Sequence, residues 1–273
     1  MAGFSSLCGD PATRYADEVL TASGEGHVPL ESEASAGLQA VLFDFEGTLV
    51  EFAWDLDAGE AALRDGLADL GLPRDLFAAD SYSTMWNRAL RLEGAPLGEG
   101  AAVGEDELRA CLGPIYDRYD LDALTRWRLR PGALETVIEL RTRGLVVAVV
   151  SNIGRIALEP AVHRFNLADH IDLILTRDDV RFMKPDGEGL RRCLEQLGVV
   201  ATQVLFVGDS RTDVLAARDA GVRVVIVTGG ESAPEMYGDL QPDVFLGGLL
   251  EVTDIGGTIG GTLRGAIGGR AHG

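Results

Sequence analysis

A series of short, uniformly apolar runs decides what this chain can fold into. Val146 to Val150 consists of Val and Ala alone, Val204 to Val207 and Val224 to Val227 are nearly as uniform, and Val41-Leu42-Phe43 precedes them all. Runs of this length without polar alternation mark strands buried on both faces, as in a parallel sheet covered by helices. Ile171 to Leu175 and Val244-Phe245 supply two more. Between the runs lie helical patterns. Leu134, Val137, Ile138 and Arg141 form an amphipathic helix stopped by Gly144, Leu190, Leu194 and Leu197 mark a second, and a third contains Asp213, Leu215 and Ala217. Strand and helix alternating in this way build βαβ units, and the expected fold class is α/β, a Rossmann-like doubly wound parallel sheet.

One interval breaks the alternation. After Leu49-Val50, Leu56, Leu63, Leu67 and Leu70 follow a helical period closed by Gly71 and Pro73. More helix is expected from Asp75 to Leu92 and from Glu105 to Trp127, on either side of a Gly-rich stretch from Gly94 to Gly104. Residues 53–129 therefore read as an inserted α-helical cap domain between core segments 38–52 and 130–253, with Arg130-Pro131-Gly132 at the return. A chain of 273 residues has room for both. Residues 1–37, rich in Ser, Ala, Gly and Glu, read as a flexible extension with a short helix around Tyr15 to Leu20.

Charge and cysteine content narrow the function classes. A net charge of −19 speaks against a nucleic-acid partner, because phosphate contacts need Lys and Arg in excess. An anionic ligand would need a locally positive site against that background. Cys8, Cys111 and Cys193 are odd in number and lack metal-ligand spacing, as expected in a reducing compartment. The first residues show no basic region followed by an apolar core, and no apolar run reaches membrane-spanning length. The expectation is a soluble, cytoplasmic protein without a membrane partner.

Polar residues gather where the runs end. Val41-Leu42-Phe43 leads into Asp44, Phe45, Glu46 and a Gly47-Thr48 turn; Val150 is followed by Ser151-Asn152; Lys184-Pro185 comes after the third run; Val207 leads into Gly208-Asp209-Ser210, with Asp213 in the next helix. Each has an ordinary explanation: a turn or N-cap for Asp44, a cap for Ser151-Asn152, a solvated amine for Lys184, first-turn acids for Asp209 and Asp213. In a parallel sheet, however, all carboxyl ends share one edge, where ligands of open α/β sheets bind. Carboxylates such as Asp44 and Asp209 suit Mg²⁺, while Lys184, the Ser151 hydroxyl and nearby backbone N–H groups suit phosphoryl oxygens.

The ordered set Asp44-Phe45-Glu46-Gly47-Thr48, Ser151-Asn152, Lys184-Pro185 and Gly208-Asp209-Ser210-Arg211-Thr212-Asp213 resembles the four motifs of the haloacid dehalogenase superfamily. The resemblance spans roughly residues 38 to 251 and points to the phosphatase-like branch, akin to phosphoglycolate phosphatases and β-phosphoglucomutases, with a helical cap of the C1 type. It implies a Mg²⁺-dependent phosphatase acting on a small phosphorylated metabolite. Asp44 would be the nucleophile that forms an aspartyl-phosphate. Mg²⁺ would be held by Asp44, the backbone carbonyl of Glu46, Asp209, and Asp213 directly or through water. Ser151, helped by the Asn152 backbone, would bind the phosphoryl oxygens, and Lys184 would offset the negative charge. The chain departs from the pattern at Glu46, where phosphatases of the family usually carry Asp as the general acid–base group. A backbone adjusted to Glu gives an ordinary phosphatase, a poorly placed Glu a slow one, and a relaxed fold a protein kept for binding or regulation. A sugar phosphomutase is a further alternative. Phosphonate hydrolysis fits less well, since residues 51–130 hold no Lys. Arg88, Arg91, Trp54 and Trp86 are candidates for a second polar contact from the cap, with core or surface positions as the plainer reading.

The C-terminal stretch 254–273 spaces Ile255, Ile259, Leu263 and Ile267 four apart among Gly pairs. Gly disfavours helix, so a flexible end is expected. The alternative is a peptide docking on a protein partner, since it resembles the Gly-Leu-Arg-Gly-like tails that load enzymes into encapsulin shells.

Overall fold

The strand that delivers Asp44 lies in the middle of the sheet. In the computed structural model, which describes residues 37–92 and 103–255, β1 (Ala40–Phe43) pairs in parallel with β2 (Val146–Val150) on one side and β4 (Val204–Gly208) on the other. β3 (Leu173–Leu175) flanks β2, and β5 (Arg223–Val227) and β6 (Val244–Leu246) continue beyond β4, giving the order β3-β2-β1-β4-β5-β6. The chain thus winds one way from β1 and then the other, which opens a crevice beyond the carboxyl ends at β1. Phe43 is level with Val149 of β2 and Val207 of β4, so Asp44, Ser151 and Asp209 leave the sheet at one edge.

The absence of polar alternation in the strands has the expected cause. Val41, Phe43, Val147, Val149, Leu205 and Val207 face one core, with α4 (Ala133–Thr142) and α5 (Arg155–Arg164). Ala40, Leu42, Ala148, Val150, Val204 and Phe206 face a second core, with α6 (Glu188–Leu197) and α7 (Arg211–Ala220). Both sheet faces are covered, and the fold is the doubly wound α/β class. A last short helix, α8 (Glu251–Ile255), buries Val252 and Ile255.

Between β1 and β2 the described residues hold helices: α1 (Leu56–Asp69), a 3₁₀ turn (Arg74–Phe77), α2 (Tyr82–Arg91) and α3 (Glu105–Arg126). The continuous helix expected from Asp75 to Leu92 is broken, because Arg64 of α1 reaches over and donates to the carbonyls of Phe77 and Asp80, and Ser81 is extended. The insertion leaves and returns through a two-stranded neck in which Glu51 N–H donates to Arg128, Arg130 N–H donates to Leu49, and Val50 bridges Leu129 in antiparallel fashion. No helix among the described residues is long and apolar enough to cross a membrane. The readings of residues 1–36, of most of the Gly-rich stretch before α3, and of 256–273 as a flexible or docking tail lie outside the described residues.

Candidate active site

The structure brings the strand-end residues together around Asp44. The Lys184 amine lies 2.8 Å from Asp44 Oδ1 and 2.6 Å from Asp213 Oδ1, and all three side chains are nearly inaccessible. Burial works against charge on Lys184, but Asp213 and Asp44 outweigh it and hold its pKa above the ordinary value. Burial lifts Asp44 to about 6, with Lys184 pulling down and Asp213 pushing up. Lys184 is the only lysine of the chain. It is set in place by Asn152, whose side chain donates to the Lys184 carbonyl at 3.0 Å and accepts from its N–H at 2.9 Å. The Asn152 side chain is thus spent on positioning Lys184. Ser151 sits at the end of β2, with its hydroxyl accepting from Ile153 N–H.

Asp209 is held by the neighbouring turns. Its Oδ1 accepts from Thr48 Oγ1 at 2.7 Å and its Oδ2 from Glu231 N–H at 2.6 Å. Gly47, at φ +82°, leaves space for it: a Cβ there would fall 2.1 Å from Asp209 Oδ2, and one on Gly230 would fall 2.2 Å from the same atom. Burial, then the charges of Asp213 and Asp44, put the Asp209 pKa well above the ordinary carboxylate range. Asp213 is committed differently. Its Oδ2 accepts from the N–H groups of Asp209 and Ser210 and from Ser210 Oγ, as the third residue of a capping box that starts α7, while its Oδ1 faces Lys184.

Oxygen atoms of Asp44, Asp209 and Asp213 all lie within 4.8 Å of one another. Asp44 Oδ1 is buried, with the Lys184 ammonium as its one charged neighbour at 2.8 Å. Three carboxylates facing one amine, with hard oxygen donors only, are what a divalent cation such as Mg²⁺ would satisfy, and these residues fit one.

Glu46 has its own cradle. Oε1 accepts from the N–H groups of Ala53 and Trp54 at 2.9 and 2.8 Å and from Trp127 Nε1 at 2.8 Å. Ala53 and Trp54 follow the outgoing strand of the neck, and Trp127 precedes the returning one. Burial still raises its pKa to about 7, against the pull of Trp127 and the two backbone groups. With Oε1 so occupied, an acidic proton belongs on Oε2.

Sequence reasoning missed several neighbours. The cleft is also lined by Phe52, Tyr82 and Glu231. Burial, then Asp213, Asp44 and Glu46, lift Glu231 to about 8. A buried Arg177 joins insertion to core: it donates to Asp120 at 2.7 Å and Asp117 at 2.6 Å, both on α3, while Asp120 also accepts from Trp54 Nε1 and Gly154 N–H. The cap candidates are placed elsewhere. Trp54 and Trp86 are buried, Trp86 donating to the Arg181 carbonyl, and Arg88 and Arg91 pair with Asp80 and Asp186.

This arrangement has known counterparts. Residues 38–221 match the model of the haloacid dehalogenase-like hydrolases. The chain is 32% identical over 218 residues to a phosphoglycolate phosphatase of Pectobacterium atrosepticum, covering 79% of this chain and 91% of that one. It is 31% identical to phosphoglycolate phosphatase 1 of Pseudomonas aeruginosa, covering 78% and 77%. Among solved structures it resembles CbbY of Rhodobacter sphaeroides, crystallised with phosphate, with a TM-score of 0.53, 22% identity, and coverage of 79% and 96%, a likeness of fold alone. The chain belongs to the haloacid dehalogenase-like hydrolase family and to its phosphatase branch.

Proposed function

We propose that this protein is a Mg²⁺-dependent phosphatase that hydrolyses a small phosphorylated metabolite through an aspartyl-phosphate on Asp44. The observation that carries the reading is the convergence on Asp44 of Lys184, Asp209 and Asp213, with Glu46 held beside it by the neck. An Asp44 oxygen attacks phosphorus and the ester P–O bond breaks. Glu46, protonated, gives its proton to the leaving oxygen. It then takes a proton from the water that attacks the phosphoryl group, which releases inorganic phosphate and restores Asp44. Lys184 lowers the repulsion between the Asp44 carboxylate and the phosphate, and the Ser151 hydroxyl donates to a phosphoryl oxygen. Mg²⁺, held by Asp44, Asp209, the Glu46 carbonyl and Asp213 directly or through water, would neutralise charge on the transferring group. The helical insertion serves as a cap, closing over the site through Phe52 and Tyr82. The hydrogen bonds made to Glu46 argue for a site built around Glu, and against a fold relaxed into binding alone.

The test is hydrolysis of p-nitrophenyl phosphate and a broad panel of phosphate esters, with Mg²⁺ and with EDTA. Turnover should require the metal and vanish in Asp44→Asn. An absence of metal-dependent turnover on every ester would refute the reading.

A further inference from the structure

Once Lys184 is assigned to Asp44, Asp213 and the phosphate, the described residues line the cleft with no second cationic side chain. Among the described residues, every other polar side chain that lines it is neutral or acidic, with Tyr82, Thr212, Glu46 and Glu231 beyond the phosphate-binding groups. Lys184 is the chain's only lysine, and residues 93–102 of the insertion contain no Lys, Arg or His. The arginines close to the motif loops are turned to other work. Arg130 donates to the carbonyls of Gly47 and Thr228, Arg211 to that of Met236, and Arg177 is buried against Asp117 and Asp120. Nor is the Gly154 N–H free beside the Ser151 loop, since Asp120 accepts from it at 2.8 Å.

A carboxylate on the leaving group would therefore give up its water in a small cleft whose lining side chains offer it two acids, Glu46 and Glu231, and no cation. A charge buried without a partner is costly. Hydroxyl groups, in contrast, find both donors and acceptors there: the Tyr82 and Thr212 hydroxyls and the Glu231 carboxyl, whose own side-chain oxygens are not tied up in holding Asp209, because that hydrogen bond comes from the Glu231 backbone. Phe52 and Ile153 supply apolar surface for the carbon skeleton.

We infer that the substrate is a phosphate monoester of an uncharged, hydroxyl-bearing alcohol, of the polyol or sugar class, and that esters carrying a carboxylate are poor substrates. This rests on the phosphatase reading, and it makes 2-phosphoglycolate, the ester in the names of the Pectobacterium and Pseudomonas relatives, a poor substrate for this chain. The experiment compares kcat/KM for glycerol 2-phosphate, glucose 6-phosphate and 2-phosphoglycolate, with p-nitrophenyl phosphate as a control, in the full-length protein with Mg²⁺. The better of the two hydroxylated esters should exceed 2-phosphoglycolate by at least about tenfold. Glu231→Arg, which places a cation in the cleft, should shift that ratio toward 2-phosphoglycolate by about tenfold or more, with Glu231→Gln shifting it less. Each ratio is taken within one variant, so a change in folded fraction cancels. Hydrolysis of the control with 2-phosphoglycolate turned over as well as the hydroxylated esters overturns the inference alone. So does an unchanged ratio in both variants. No hydrolysis of any ester, the control included, overturns the phosphatase reading and the inference with it.

Discussion

Replacing Trp127 with Phe removes one of the hydrogen bonds to Glu46 while keeping an aromatic ring against Phe45, which packs on Trp127 edge to face at 5.3 Å. The indole is the largest of the influences that oppose burial at Glu46. A hydrogen bond to a charged group contributes about 1.5–3 kcal/mol, and a pKa unit corresponds to about 1.4 kcal/mol. Its loss should therefore raise Glu46 from about 7 by about one to two units. The sign follows from which form the bond favours: the indole donates more strongly to the charged carboxylate than to the carbonyl oxygen of the acid, so without it the protonated form gains. At pH 7 the fraction of Glu46 available as a base falls from about one half to about one tenth or less, and hydrolysis of the aspartyl-phosphate slows about fivefold or more. Formation of the intermediate uses the acid form and is spared. The assay is a pair of pH profiles with p-nitrophenyl phosphate. The limb of kcat/KM that falls at high pH should move up by about one to two units, and the kcat lost at pH 7 should return at higher pH. A folded Trp127→Phe protein with both profiles unmoved would refute the role given to Glu46 and its neck donors.

Glu46→Asp should lower kcat by about a hundredfold, because a shorter side chain withdraws from Ala53, Trp54 and Trp127, and misplacement near 1 Å costs about that much; equal or faster turnover would show that the cradle is not what places the acid. Glu46→Gln should flatten the pH dependence of stability: a carboxyl whose pKa rises from 4.5 to about 7 on folding lends stability that is whole below about pH 4.5 and lost as pH rises through about 7, on the order of 3 kcal/mol. Denaturant midpoints at pH 5 and 8 measure this, and an unaltered difference between them would contradict it. Arg177→Met leaves Asp120 buried and unpaired, which costs about 3–5 kcal/mol and should lower Tm by roughly 6 °C or more. Adding Asp120→Asn should recover part of that loss, and a Tm unchanged by Arg177→Met would mean that the bridge is idle.

The parts of the fold that were legible in the sequence are those governed by local period. Val146–Val150 reads as a doubly buried strand because nothing in it can face water, and its neighbours in order imply the shared edge where Asp44, Ser151 and Asp209 meet. The same edge rule reaches Glu231, four residues after the end of β5, but Glu231 lies in no motif and was passed over. Trp127 carried no such signal. It lies 81 residues from Glu46, in a stretch where Trp is most simply core, and only the pairing of the two neck strands brings its indole to the carboxylate. A strand-end position does not say whether a side chain meets a ligand or its neighbours, and only the structure shows the Asn152 side chain holding Lys184 and Asp213 capping α7. The break between Phe77 and Tyr82 depends on an arginine of the preceding helix competing for carbonyls, which no propensity for residues 75–92 contains.

A chain that carries its positive charge almost wholly as guanidinium, and keeps its one ε-amine between Asp44 and Asp213, has an unusual chemical surface. Acylating reagents that coat other proteins at many lysines meet one here, and it is buried and held protonated by Asp213 and Asp44. Protein grown with ¹⁵N-lysine likewise carries a single labelled ε-ammonium, and its signal reports the charge state at the reacting centre alone.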